Sequence, residues 1–127
     1  MTLRVVETVA SKQYIHELKQ VILRLHNVSA RWVESAPVEI VYEDQTLWRG
    51  TVEVFEVINH PKAKRAYAWS RLEPESERTG FVAVLEIPPV VSPETAVKTS
   101  LAADAKEMLR KAMEDAAAEI ARRNQRN

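Results

Sequence analysis

The chain predicts an α+β fold: an antiparallel four-stranded (three to five) meander sheet, flanked in sequence by an N-terminal helix and a long C-terminal helix packed on one face. Three observations carry this. Leu47 to Leu72, LWRGTVEVFEVINHPKAKRAYAWSRL, reads as two strands folded back over a polar turn. An amphipathic helical segment precedes it and a much longer helical run closes the chain. The links between the strands are of hairpin length, which makes sequential strands antiparallel neighbours.

Leu3 to Ala10 fits either a short strand or an early helical turn. Ser11 is placed to cap the helix that follows, in which Tyr14, Leu18, Val21, Ile22 and Leu25 form one apolar stripe. Asn27 to Pro37 reads as a connection, Val38 to Glu43 as a strand with Val38, Ile40 and Tyr42 on one side, and Glu43–Thr46 as a turn. Gly50 interrupts the next strand and marks a bulge or a close backbone approach.

The central hairpin specifies its own register. With Asn59–Lys62 as the loop, Ile58 faces Ala63, Glu56 faces Arg65, Val54 faces Tyr67 and Val52 faces Trp69. Three of these pairs are apolar and one joins opposite charges, whereas a one-residue slip would turn the whole set to the other face. The opposite face then carries Phe55, Val57, Ala66 and Ala68 as a small apolar strip bordered by charge.

Glu73–Gly80 is polar and turn-like, Phe81 to Ile87 is a further strand, and Pro88–Pro89 stops it. Ser92-Pro93-Glu94 then combines a capping serine, proline at the first helical position and an acid at the positive end of the dipole. Val97, Leu101, Ala105, Met108, Ala112, Ala116 and Ile120 run down one stripe of this helix. Its length, about 1.5 Å per residue, exceeds that of a strand of ordinary size, so its last turns are expected to overhang the sheet.

At 127 residues the chain is read as one domain, 1–127. Net charge is zero, which gives no general electrostatic attraction for nucleic acid or an anionic membrane. The absence of cysteine removes disulfides, thiolate metal ligands and thiol nucleophiles. No apolar run approaches the roughly 18 residues of a membrane span, and a cytoplasmic location is expected.

No catalytic constellation, metal site or cofactor motif is identified. His16 and His26 sit ten apart on one helix and point in different directions, and His60 lies in the hairpin turn without a nucleophile or carboxylate partner at a motif spacing. Lys62, Lys64, Arg65 and Arg71, interleaved with Tyr67 and Trp69, are the residue types of a single-strand nucleic-acid platform. Glu53 and Glu56 on the preceding strand offset that charge, and the register turns both aromatics toward the core. The order helix, strands, helix resembles that of the double-stranded-RNA-binding domain, whose basic cluster lies at the start of its final helix. Here those positions are Val91–Thr95, with no base until Lys98, so the resemblance stops at element order and implies no function.

The expected function is a non-enzymatic binding or assembly domain acting as a homo-oligomer, a dimer at least, with Phe55, Val57, Ala66 and Ala68 in the interface and the alanine-rich helix overhanging. The alternative is a small-molecule binder in which Tyr42, Trp48, Tyr67, Trp69 and Phe81 line an apolar pocket between helices and sheet. Nucleic-acid binding through the basic strand ranks below both.

Overall fold

The computed structural model describes residues 11–72 and 79–125. The readings of Leu3–Ala10 and of most of the Glu73–Gly80 loop lie outside the described residues. In order the elements are α1 (Lys12–His26), β1 (Ser29–Tyr42), β2 (Gln45–Ile58), β3 (Arg65–Leu72), β4 (Thr79–Leu85) and α2 (Pro93–Gln125). The four strands form one open antiparallel sheet in the order β1-β2-β3-β4, and the fold is α+β. Two compact units divide between Ala96 and Val97, the first holding α1 and the sheet, the second the body of α2.

Helix α1 begins as its sequence dictates: the Ser11 hydroxyl accepts the Tyr14 N–H at 3.1 Å, satisfying one of the orphan donors of the first turn. It ends at Asn27, which takes a left-handed conformation (φ 56°) and returns its N–H to the Leu23 carbonyl at 2.8 Å. His26, in the last turn, donates from Nε2 to the Ala83 carbonyl at 2.8 Å and ties the helix end to β4. The Tyr14 hydroxyl donates to Ser70 Oγ and accepts the Ser70 N–H, fixing the other end over β3.

Strand β1 starts well before the sequence reading placed it, since Ser29–Pro37 pairs with β2 instead of forming a connection. The register shifts between Trp32 and Glu34, so Val33 is the extra residue of a bulge, and it shifts again between Ile40 and Val41. Each shift breaks the period-two pattern by which a strand is recognised. Pro37 is accommodated because β1 is an edge strand and needs no donor on its outer side. Val38 and Ile40 are buried, whereas Tyr42, the last residue of β1 before the turn, is exposed. The β1–β2 turn is tighter than predicted, two residues, Glu43 and Asp44, both at positive φ (49° and 64°). That is the pattern whose twist matches a two-residue hairpin.

The central hairpin has the register its sequence specifies, with Glu53 opposite Ala68, Val54 opposite Tyr67, Phe55 opposite Ala66 and Glu56 opposite Arg65. Its turn is held by His60, whose Nδ1 accepts the N–H groups of Lys62 (3.0 Å) and Ala63 (2.8 Å). His60 thus serves as a turn clamp.

The core lies between α1 and the face of the sheet carrying Phe55, Val57, Ala66, Ala68 and Ala83, against which Leu18, Val21 and Ile22 are packed. Leu25, expected on the same stripe, is exposed. The small alanines let the helix approach the sheet closely, and the branched residues of α1 fill the space. The other face is buried too: Val38, Ile40, Val52, Val54, Tyr67 and Trp69 all belong to the interior. On this face Trp48 and Trp69 meet edge to face, ring centroids 6.1 Å apart at 69°.

Gly50 marks a close approach, not a bulge. A Cβ there would lie 2.9 Å from the Trp48 ring, which is itself set against Trp69. Gly50→Ala is therefore expected to destabilise the fold by about 1–3 kcal/mol through overpacking. Urea denaturation followed by tryptophan emission measures this; unchanged stability and spectrum would mean that the indole has room to move.

Candidate functional site

The five aromatic residues expected to line one pocket do not converge. Tyr67 and Trp69 are buried on one sheet face and Trp48 joins them, but Phe81 lies on the opposite face against the α1 core, and Tyr42 stands at the hairpin end, 64% exposed. Strand alternation explains the separation: Phe81 is paired with Ser70, one position out of phase with Trp69. A pocket lined by all five is corrected to a buried pair with a third ring at its edge. A shallow groove of about 250 Å³ does occur elsewhere, between Ala36–Glu39 of β1 and Ser92–Glu94, and none of the five lines it.

The strip of Phe55, Val57, Ala66 and Ala68 is likewise corrected. All four residues are interior, covered by α1 of the same chain, and are not a free surface for a second copy. The basic strand presents Lys62, Lys64, Arg65 and Arg71 to solvent, but Tyr67 and Trp69 are buried and offer no open ring face for stacking. Glu56, although paired in register with Arg65, forms its ion pair with Arg31 across the other ladder, at 2.8 Å.

Two polar groups are held inside the sheet. Glu53, 2% exposed, accepts the Trp32 indole N–H at 2.9 Å and the Ser35 hydroxyl at 2.5 Å, which closes the β1 bulge over the carboxylate. Tyr67 donates its hydroxyl to Glu86 in the segment after β4. Burial, reinforced by that hydrogen bond and by the negative charge of Glu86, pushes the Tyr67 phenol well above its ordinary value of 10.0. The fold thus favours the protonated phenol. Its contribution to stability is complete below the ordinary tyrosine range and is lost as pH rises through the raised value. Alkaline titration at 295 nm is expected to leave one tyrosine un-ionised until the fold opens, and Tyr67→Phe to abolish that late step. A tyrosine fully titrated before unfolding would contradict the assignment.

Among the described residues no group of three or more His, Asp or Glu side chains is arranged to hold a metal ion. Nor, among those residues, is any helix long and apolar enough to cross a membrane.

Exposed large apolar residues occur together on α2. Its start is secured from both sides: Ser92 Oγ accepts the Thr95 N–H at 3.1 Å, while Thr95 Oγ1 accepts the N–H groups of Val91 and Ser92 at 2.8 and 2.9 Å. This reciprocal cap has threonine where glutamate or glutamine is usual. Further along, Arg110 binds Glu107 and Glu114, and Arg122 binds Glu119, so i,i+3 and i,i+4 pairs support the polar side of the helix. Arg110 holds the Glu107 carboxyl below its ordinary range. The apolar side has no such support: Met108, Leu109, Met113 and Ile120 are 73%, 62%, 65% and 59% exposed. From Ala105 to Gln125 every residue is exposed. Leu109 and Met113 were missed in the sequence because the stripe was followed along a single row; their i+4 and i+8 spacing from Ala105 was the available signal.

Comparison with protein-family models, with curated proteins and with solved structures returned no match.

Proposed function

We propose that this chain is a non-enzymatic binding and assembly domain that works as a homo-oligomer, a dimer at least, through the C-terminal helix. The observation that supports it is the apolar side of α2, where four large side chains along one stripe are each more than half exposed. Single exposed apolar residues are ordinary, whereas a contiguous row of them marks an interaction surface. An isolated helix of this kind gains little from propensity alone and is normally stabilised by packing of its apolar face. The α1–sheet unit supplies a folded body that carries the helix. A cytoplasmic location belongs to the same reading and is the expectation from the sequence.

The double substitution Leu109→Glu, Met113→Glu tests the proposal by sedimentation velocity. The expected result is a fall to single-chain mass, with the unfolding transition of the α1–sheet unit unchanged. An unaltered assembly in the double variant would move the interface away from α2.

A further inference from the structure

Between Leu101 and Ile120 three of the four residue pairs on the apolar stripe of α2 match under reversal, and this deepens the assembly reading above, on which it rests. Counting inward from its ends, Leu101 and Ile120 are both large and aliphatic, Ala105 and Ala116 are both small, and Met108 and Met113 are both thioethers. Leu109 and Ala112 follow, one large and one small, on either side of a midpoint between Arg110 and Lys111. Beyond the ends, Lys98 and Arg123 each place a cation on the line of the stripe, again equidistant from that midpoint. At about 100° per residue the alanines fall along the middle of the stripe, while Leu101, Met108, Met113 and Ile120 fall along its margins. Small residues in the middle let a second backbone come close, toward the short end of the 8–10 Å seen between packed helices. The flexible methionines at the margins are suited to close over it.

We infer that the partner of this surface is a second copy of α2, packed antiparallel about a two-fold axis at the Arg110–Lys111 midpoint. A two-fold interface must be self-complementary: where residue i meets residue j, j meets i. The three matched pairs of the stripe satisfy this condition. Leu101 then shares a layer with Ile120 of the other copy, Ala105 with Ala116, Met108 with Met113, and Leu109 with Ala112. A parallel pair would set Leu109 against Leu109 between layers of alanine, propping the helices apart there and leaving gaps on either side. Antiparallel pairing places an alanine opposite each Leu109 and also opposes the two helix dipoles. About 20 residues from each copy, a stretch of roughly 30 Å, bury on the order of 1,000 Å² in total, the low end for specific association. The assembled fraction therefore depends on protein concentration.

The chain contains no cysteine, so introduced ones report without background. Ala105→Cys and Ala116→Cys, both at exposed helical positions, are mixed as full-length chains of distinguishable mass, equilibrated and oxidised. The expected result is a cross-link between the two variants and none within either alone, because antiparallel helices bring 105 to 116 and hold each residue well away from its own counterpart. Cross-linking of each variant with itself means a parallel pair and overturns the inference while leaving the assembly reading intact. No cross-link, with a dimer mass retained by sedimentation, overturns it as well and moves the interface elsewhere. A single-chain mass at every concentration removes the assembly reading itself.

Discussion

Trp69→Ala is expected to cost about 3–5 kcal/mol, the range for removing a large buried aromatic ring from a core. The side chain is 2% exposed and lies in the middle of the buried face that includes Val52, Val54 and Tyr67. Truncation leaves a cavity there and also removes the edge-to-face partner of Trp48, an interaction of the kind that adds about 0.5–1.5 kcal/mol beyond area alone. Net stabilities of small domains are of the order of 5–15 kcal/mol, so the variant is expected to be partly unfolded at moderate temperature. Chemical denaturation measures the difference. A loss below about 1 kcal/mol would mean that the ring is accessible, and would restore the reading in which Tyr67 and Trp69 form a stacking platform beside the basic residues.

Phe55→Glu is expected to have a larger effect still and to abolish cooperative folding. Phe55 is fully buried, opposite Ala66 and within the cluster that α1 closes with Leu18 and Ile22. The substitution removes an aromatic core residue and puts a carboxylate where no basic partner is present in the cluster, an effective penalty of several kcal/mol for the ion alone. Phe55→Leu keeps the apolar character and is expected to fold with a loss of about 1.5 kcal/mol or less. Circular dichroism and urea titration of the pair distinguish core from surface. If the glutamate variant folded normally and only its mass fell, the strip would be an interface between copies and α1 would pack elsewhere.

What the sequence made legible, and what it did not, follows from the physics of alternation and of helical spacing. The β2–β3 register was readable because four alternate pairings on one face agreed on it, and Val54–Tyr67, Phe55–Ala66 and Glu56–Arg65 are opposite one another as that pattern requires. Alternation says which residues share a face; it does not say what covers the face. Phe55, Val57, Ala66 and Ala68 were read as a surface for a second copy because the strip is narrow and bordered by charge, yet the alanines are what admit α1. Glu53, one of the bordering charges, is itself buried and satisfied by Trp32 and Ser35, a contact that depends on the bulge at Val33 and has no signature in spacing. The same bulge, with Pro37, hid the first half of β1. The aromatic residues were grouped by type, although their positions put Phe81 and Trp69 on opposite faces. Helix starts, by contrast, were local and readable: Ser11 and Ser92 both cap as their context demands.

Helix α2 is proposed to join copies of this chain. The most direct test is the mass of the unmodified protein by sedimentation equilibrium, from low micromolar to near-millimolar concentration. The expected result is a weight-average mass that rises with concentration from one chain of 14.5 kDa toward two. A value of 14.5 kDa throughout that range would contradict it.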